Sequence, residues 1–129
     1  MKDDTLIAAA KAARLQAYAP YSKFQVGAAI EADDGMIFTG CNVENLSFGL
    51  TICAERVAIN TAVAAGKRAF RKLVVFADSV EPVTPCGACR QVLAEFCDEL
   101  EVCSINFAGN EHHTTLSVLL PRAKAGILG

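Results

Sequence analysis

The sequence of 129 residues lacks any long basic run: no stretch of lysine and arginine exceeds two residues, and the formal net charge is −2. Proteins that bind a polynucleotide usually carry a basic face, because neutralising phosphate charge supplies most of their affinity. A nucleic-acid partner is therefore not expected, and a small-molecule substrate is favoured.

Long apolar runs are also missing, since none approaches the roughly 18 to 20 residues that cross a bilayer. The N-terminal stretch MKDDTLIAAAKAARLQAYA is interrupted by charges and has neither the apolar core nor the cleavage site of a signal peptide. We expect a cytoplasmic protein without a membrane partner. Six cysteines in such a compartment favour ligands or free thiols over disulfides.

Internal repeats and low-complexity segments are absent, and the chain is as long as one domain. Hydrophobic residues make up 53% and charged residues 20%, which is typical of a globular chain. The sequence thus predicts a single domain over residues 1–129 that folds without disulfide support.

Local patterns predict four helices and four strands. The helices are predicted over residues 5–19, 53–66, 86–97 and 114–121, and the strands over 24–32, 36–43, 72–78 and 101–108. The first two strands form a hairpin around the turn DDG. This order predicts an α/β fold with one mixed sheet, helices on its faces, and parallel pairing between the later strands.

Three cysteines stand at predicted helix starts. Cys86 and Cys89 form a C-x-x-C, a spacing that lets two thiolates bind one metal ion, and Cys53 begins the preceding helix. If the two helices lie side by side, the three thiolates converge near the positive ends of two helix dipoles. Three protein ligands and an open fourth position are typical of a catalytic zinc site.

Glu55 follows Cys53 by two residues, which places the two side chains about 200° apart around a helix. Glu55 is thus poorly placed to ligate the same ion, but its length lets it reach a water in the open position. A carboxylate there can take up a proton and pass it on. Arg56 is expected to hydrogen-bond a thiolate sulfur and so to offset the negative charge of three thiolates.

Other interpretations of the cysteines stay open on residue patterns alone. A cytosolic C-x-x-C also occurs in thioredoxin-like redox proteins, although no β-α-β unit precedes this one at the N-terminus. A closed structural zinc site would take its fourth ligand from Cys41, Cys97, Cys103 or a histidine. Cys41, Cys97 and Cys103 are most simply explained as small buried hydrophobic residues.

The segments C-A-E and P-C-x-x-C resemble the signature of zinc deaminases. With YAPYSKFQVGAA, GCNVEN, GLTICAERVAI and PCGACRQVLAEF, the sequence resembles the cytidine deaminases that act on free nucleosides, over residues 5–121. Within that family it is similar to the short, three-cysteine, homotetrameric branch. The resemblance implies a three-layer α-β-α fold with a mixed five-stranded sheet and helices on both faces.

The resemblance also implies an activity and a set of site residues. The activity is hydrolytic deamination of cytidine and deoxycytidine in pyrimidine salvage, with one zinc ion per subunit held by Cys53, Cys86 and Cys89 and with Glu55 as proton shuttle. The substrate-binding groups that it implies are the side chains of Asn42 and Glu44 at the ribose, the ring of Phe24 beside the nucleoside, and the carbonyls of Ala54 and Thr84 at the amine. Phe48 would reach the ribose of a neighbouring subunit.

The C-terminal segment departs from this family pattern, because no aromatic residue follows Phe107. Members of the branch often cover the base there with an aromatic side chain from a neighbouring subunit. Either another side chain such as Ile127 or Leu128 covers the base, or the affinity for the nucleoside is weaker, or the substrate is a related aminonucleoside, such as a modified cytidine or a blasticidin-type antibiotic. A non-catalytic zinc module is a further alternative, but it gives Glu55 no role.

Overall fold

A five-stranded sheet forms the centre of the computed structural model, which describes residues 2–125. The elements in chain order are α1 (Lys2–Arg14), β1 (Val26–Ala32), β2 (Ile37–Cys41), a 3-10 turn (Phe48–Leu50), α2 (Ala54–Ala64), β3 (Phe70–Ala77), α3 (Gly87–Ala94), β4 (Glu101–Ile105), β5 (Glu111–Thr115) and α4 (Leu116–Leu119). The strands lie in the order β2-β1-β3-β4-β5.

The sheet is mixed, as the sequence predicts. β3 and β4 pair in parallel through the connection that contains α3. β1 pairs antiparallel with both β2 and β3, and β5 pairs antiparallel with β4. The α/β class and the mixed five-stranded sheet are confirmed.

Helices cover both faces of the sheet, so the three-layer arrangement is confirmed as well. On one face, Leu6 and Ala10 of α1 pack against Val74 of β3. On the other face, Ala58 of α2 and Leu93 of α3 join a core with alternate residues of β1 and β3. A strand that is buried on both faces has a nearly continuous run of apolar residues in its sequence. For this reason the sequence predicts β1 and β3 as strands.

Two glycines let helix backbones approach the sheet closely. A Cβ on Gly27 would lie 2.1 Å from the Ala10 carbonyl oxygen, and a Cβ on Gly40 would lie 2.4 Å from the Ala58 nitrogen. Both distances are far inside van der Waals contact. The absence of a side chain at Gly40 therefore sets how closely α2, the helix that follows Cys53, lies against β2.

The predicted elements differ most from the structure in two places. The local patterns missed β5, because its side chains Glu111, His112 and His113 are exposed on an edge strand and show no apolar alternation. The first helix ends at Arg14 rather than at residue 19, because the Tyr18 N–H donates to the Asn42 carbonyl at 3.0 Å. That bond draws the chain away from the helix axis towards the loop after β2.

No helix within residues 2–125 combines the length and the apolar character needed to cross a bilayer.

Candidate active site

The starts of two helices bring three thiols together on one face of the sheet. Cys53 is the N-cap of α2 and Cys86 is the N-cap of α3, while Cys89 lies in the first turn of α3. The Cys53 and Cys86 sulfurs are 3.8 Å apart, and the Cys86 and Cys89 sulfurs are 3.4 Å apart. All three ligand atoms lie within 4.8 Å of one another. Cys89 is buried, Cys53 is half-buried and Cys86 is exposed, so the group opens to solvent on one side.

The sulfur cluster fits a zinc ion. A tetrahedral ion with Zn–S bonds of about 2.3 Å places its sulfur ligands about 3.8 Å apart, close to the spacings found here. Within residues 2–125, no fourth cysteine, histidine or acidic side chain joins the group. Cys97 points elsewhere, since its thiol donates to the Phe70 carbonyl at 3.3 Å. The donor set therefore matches an open catalytic site rather than a closed structural one.

The Arg56 guanidinium lies against the cluster. Its Nη2 is 3.7 Å from the Cys53 sulfur and 3.4 Å from the Thr51 carbonyl oxygen. Hydrogen bonds from the Cys89 thiol and from Arg56 lower the pKa of Cys53 to about 5, against the opposing effect of burial. The same contact with the Cys53 thiolate, together with burial, raises the pKa of Cys89. Of these two thiols, Cys53 is therefore the one whose thiolate form the surroundings favour.

Glu55 lies in the first turn of α2 and is buried beside the thiols. Burial raises the pKa of its carboxyl to about 7, and the negative charge of Cys53 adds to the effect. A carboxyl group with this pKa accepts and releases a proton near neutrality, which is the property required of a general acid–base group.

A cavity of about 250 Å³ opens next to the cluster and is of a size suited to a small ligand. All five residues predicted to bind substrate line it together with Glu55, Cys53 and Cys86. The five are Phe24, Asn42, Glu44, Ala54 and Thr84. Phe48 lies outside this cavity, in a neighbouring one of about 390 Å³ that shares Ser22, Glu44 and Thr51 with it.

The Asn42 side chain shapes the cavity wall as well as lining it. Its Oδ1 accepts a hydrogen bond from the Val26 N–H at 2.9 Å, and its Nδ2 donates to the Phe24 carbonyl at 2.8 Å. These bonds fix the segment that carries Phe24 next to β2. One N–H of the Asn42 amide and one lone pair of its oxygen remain available to a ligand.

Glu44 organises the adjacent turn. Its Oε1 accepts hydrogen bonds from the Tyr21 N–H at 3.0 Å and the Ser22 N–H at 3.1 Å, and its Oε2 accepts the Ser22 hydroxyl. The Ser22 hydroxyl bond leads the effects that lower the pKa of Glu44 and keep it a carboxylate. The ionised carboxylate faces the cavity, and some of its lone pairs are not used within the turn. These lone pairs can accept hydrogen bonds from hydroxyl donors.

Sequence reasoning missed several residues of the wall. Four residues that were assigned no role line the cavity: Ser22, Val26, Thr51 and Val83. Ser22 lies in the quoted segment YSKF, so its position beside Phe24 was the available signal. Val26 lies in the same segment YAPYSKFQVGAA and Thr51 in GLTICAERVAI, but small apolar and hydroxyl side chains are too common there to indicate a role. Val83 lies in none of those segments.

Arg90 supports the far wall of the cavity. Its guanidinium donates to the Pro85 carbonyl at 2.7 Å, the Thr84 hydroxyl at 3.2 Å and the Leu119 carbonyl at 3.0 Å. It thereby ties the loop that carries Thr84 to the end of α4. Ile127 and Leu128, proposed from sequence as covers for the base, lie outside the described residues.

Comparisons with known proteins agree with this geometry. Residues 1–105 match the family model described as the cytidine and deoxycytidylate deaminase zinc-binding region. A cytidine deaminase of Sporosarcina psychrophila is 53% identical over 124 residues, covering 95% of this chain and 91% of the relative.

A solved structure and a more distant relative complete the comparison. The 1.6 Å crystal structure of cytidine deaminase from Burkholderia pseudomallei superposes with a TM-score of 0.91 at 50% identity, covering 95% of this chain and 98% of that one. A blasticidin-S deaminase of Bacillus cereus is 32% identical over 108 residues, covering 78% of this chain and 76% of the relative.

Proposed function

The chain belongs to the cytidine and deoxycytidylate deaminase family, and from that premise we propose that it is a zinc-dependent enzyme that deaminates cytidine and deoxycytidine. The products are uridine or deoxyuridine and ammonia. The observation that carries the proposal is the position of buried Glu55 in one cavity with the three-thiol zinc site. A redox protein or a closed zinc module would have no use for that carboxyl.

Cys53, Cys86 and Cys89 would hold the zinc, and the bound ion would supply the Lewis-acid chemistry that makes a nearby water nucleophilic near neutral pH. Arg56 keeps its positive charge against the Cys53 sulfur and so limits the negative charge that accumulates on the ligands.

Glu55 moves the protons of the reaction. Its carboxylate takes a proton from the attacking water and delivers it to N3 of the cytosine ring, while the water oxygen forms a bond to C4. Glu55 then takes the remaining proton from the new hydroxyl at C4 and carries it to the exocyclic nitrogen. The C4–O bond becomes the carbonyl of the product, the C4–N bond breaks, and ammonia leaves. Burial raises the pKa of this carboxyl, which helps the group to hold a proton between its two transfers.

The cavity walls orient the nucleoside. The Glu44 carboxylate and the Asn42 amide hydrogen-bond the ribose hydroxyls, and the Phe24 ring packs beside the nucleoside. The carbonyls of Ala54 and Thr84 accept hydrogen bonds from the amine that becomes the leaving group. Arg90 contributes indirectly, because it fixes the Thr84 loop.

The proposal also includes the assembly: the protein is a homotetramer in which Phe48 reaches the ribose bound in a neighbouring subunit. Support comes from the apolar surface formed by Leu46, Phe48 and Leu50, whose exposed fractions are 78%, 73% and 65%. Exposed apolar surface of this kind next to a ligand cavity is typical of a protein interface. We further place the enzyme in the cytoplasm, in pyrimidine salvage, a placement supported by its six free thiols.

A related aminonucleoside is the second candidate substrate, favoured by the absence of an aromatic residue after Phe107 and by the blasticidin-S deaminase relative. Cytidine is preferred because the identity to cytidine deaminases is much higher. Ammonia release should be measured on cytidine, deoxycytidine, a 5-substituted cytidine and blasticidin S. We expect the first two to have the highest kcat/KM. Turnover of blasticidin S alone would reverse the assignment.

A further inference from the structure

A second group of metal-ligand side chains lies on the opposite face of the sheet from the active-site thiols. Cys103 of β4 belongs to the core beneath α1, and His113 of β5 is its direct cross-strand partner. The Cys103 sulfur is 3.7 Å from His113 Nε2, and His113 Nε2 is 2.7 Å from Glu111 Oε1. The three ligand atoms all lie within 4.8 Å of one another.

The strand register preorganises this group. Glu111 and His113 are two residues apart on β5, so their side chains project from the same face, and cross-strand pairing sets Cys103 beside them. Because all three belong to paired strands, convergence of their donor atoms does not depend on a flexible loop. The histidine and glutamate side chains are exposed, which gives an ion a path to the buried sulfur.

The arrangement does not fit a nucleophilic triad. In such a triad the acid bonds one ring nitrogen of the histidine and the nucleophile bonds the other. Here the Cys103 sulfur and the Glu111 carboxylate both face Nε2. The three ligand atoms instead lie within 4.8 Å of one another, a spacing short enough for one ion to contact all three.

We propose that Cys103, Glu111 and His113 form a second site for a divalent ion of the zinc and cobalt class. Thiolate, imidazole and carboxylate are the ligands that zinc takes in proteins. A tetrahedral ion with ordinary bond lengths separates its sulfur and imidazole ligands by about 3.6 Å, close to the 3.7 Å found here. On binding, the Cys103 thiol releases its proton to solvent, and Glu111 exchanges its hydrogen bond for a metal bond.

Neighbouring cations do not block the site, because they are already paired. The Lys72 ammonium, in the same cleft as His113, contacts the Asp3 carboxylate at 3.0 Å. Arg71 is bound by Asp3, Glu31 and Glu101. Their charges are largely neutralised before an ion approaches Glu111.

The test is a titration of the zinc-loaded enzyme with Co²⁺, which reports thiolate ligation by a charge-transfer absorption band. We expect the wild type to bind cobalt at one site beyond the zinc site and to show this band when that site is saturated. His113→Ala should lose it, and Glu111→Gln should bind cobalt at least tenfold more weakly. His112→Ala is the matched control, because its side chain projects from the other face of β5, and it should titrate like the wild type.

His113→Ala should deaminate cytidine at the rate of the wild type. Failure of the second metal site and failure of the proposed deaminase function would therefore give different results. If the wild type shows no band beyond its zinc site, or if His113→Ala titrates like the wild type, the second site does not exist. Cys103→Ala checks the sulfur directly: an unchanged band would assign the ligation to another thiol and overturn the proposal.

Discussion

Arg56 Nη2 lies 3.7 Å from the Cys53 sulfur, and the same nitrogen is 3.4 Å from the Thr51 carbonyl oxygen. The guanidinium is therefore anchored to the backbone on one side and faces a metal ligand on the other. Three thiolates on a divalent ion carry an excess of negative charge, and this contact supplies a compensating positive charge from within the same helix.

Replacing Arg56 by glutamine should raise the pKa of Cys53, which Arg56 helps to hold near 5. In the zinc-stripped protein, alkylation of Cys53 by iodoacetamide as a function of pH reports the thiolate fraction. The midpoint should move to higher pH in the variant. Arg68→Gln is the control, since Arg68 is exposed and donates to the carbonyls of Val63 and Lys67. An unmoved midpoint in Arg56→Gln would show that the guanidinium does not stabilise the thiolate.

Glu55→Gln should preserve the fold and the zinc content but lose activity. General acid–base groups usually contribute about 10²- to 10⁴-fold, and Glu55 acts in more than one step, so kcat should fall at least that far. Steady-state kinetics with cytidine and metal analysis of the same sample provide the measurement. Glu95→Gln, an exposed acid at the end of α3, should leave both unchanged. Near-normal turnover by Glu55→Gln would mean that another group carries the protons.

Gly40→Ala should destabilise the protein and disturb the site, because the added Cβ would lie 2.4 Å from the Ala58 nitrogen. Overpacking of this kind costs about 1 to 3 kcal/mol and here pushes α2, with Cys53 at its start, away from β2. Urea unfolding gives the stability change and metal analysis the effect on zinc. Gly49→Ala is the control, since nothing lies within 4 Å of the added atom. Equal stabilities of the two variants would contradict the close packing of α2.

Leu46→Glu should dissociate the proposed tetramer, because it places a charge in the apolar surface of Leu46, Phe48 and Leu50. Size-exclusion chromatography with light scattering measures the mass of the assembly. Val80→Glu changes an apolar residue in the loop after β3 that is still more exposed than Leu46, and it should leave the mass unchanged. A tetramer that persists in Leu46→Glu would place the interface elsewhere.

The sequence was sufficient to single out Cys53, Cys86 and Cys89 as candidate metal ligands and to predict the main layers of the fold. Cys53, Cys86 and Cys89 each stand at a helix start, and the apolar runs of β1 and β3 mark strands buried on both faces. These signals are local, so they can be identified without knowledge of the packing.

Features that depend on contacts between distant segments could not be predicted in this way. β5 is held by backbone pairing with β4, and its polar side chains carry no strand pattern. The Arg90 contacts join residues 84, 85 and 119, which only the folded chain brings together. The cross-strand pair of Cys103 and His113 likewise follows from register, which residue spacing alone does not fix.

The most direct test of the account is the rate of ammonia release from cytidine before zinc removal, after removal with a chelator, and after zinc is restored. We predict that activity disappears with the metal and returns when zinc is added back. A zinc-free protein that deaminates cytidine at the original rate, or a zinc-loaded one that deaminates neither cytidine nor deoxycytidine, would contradict it.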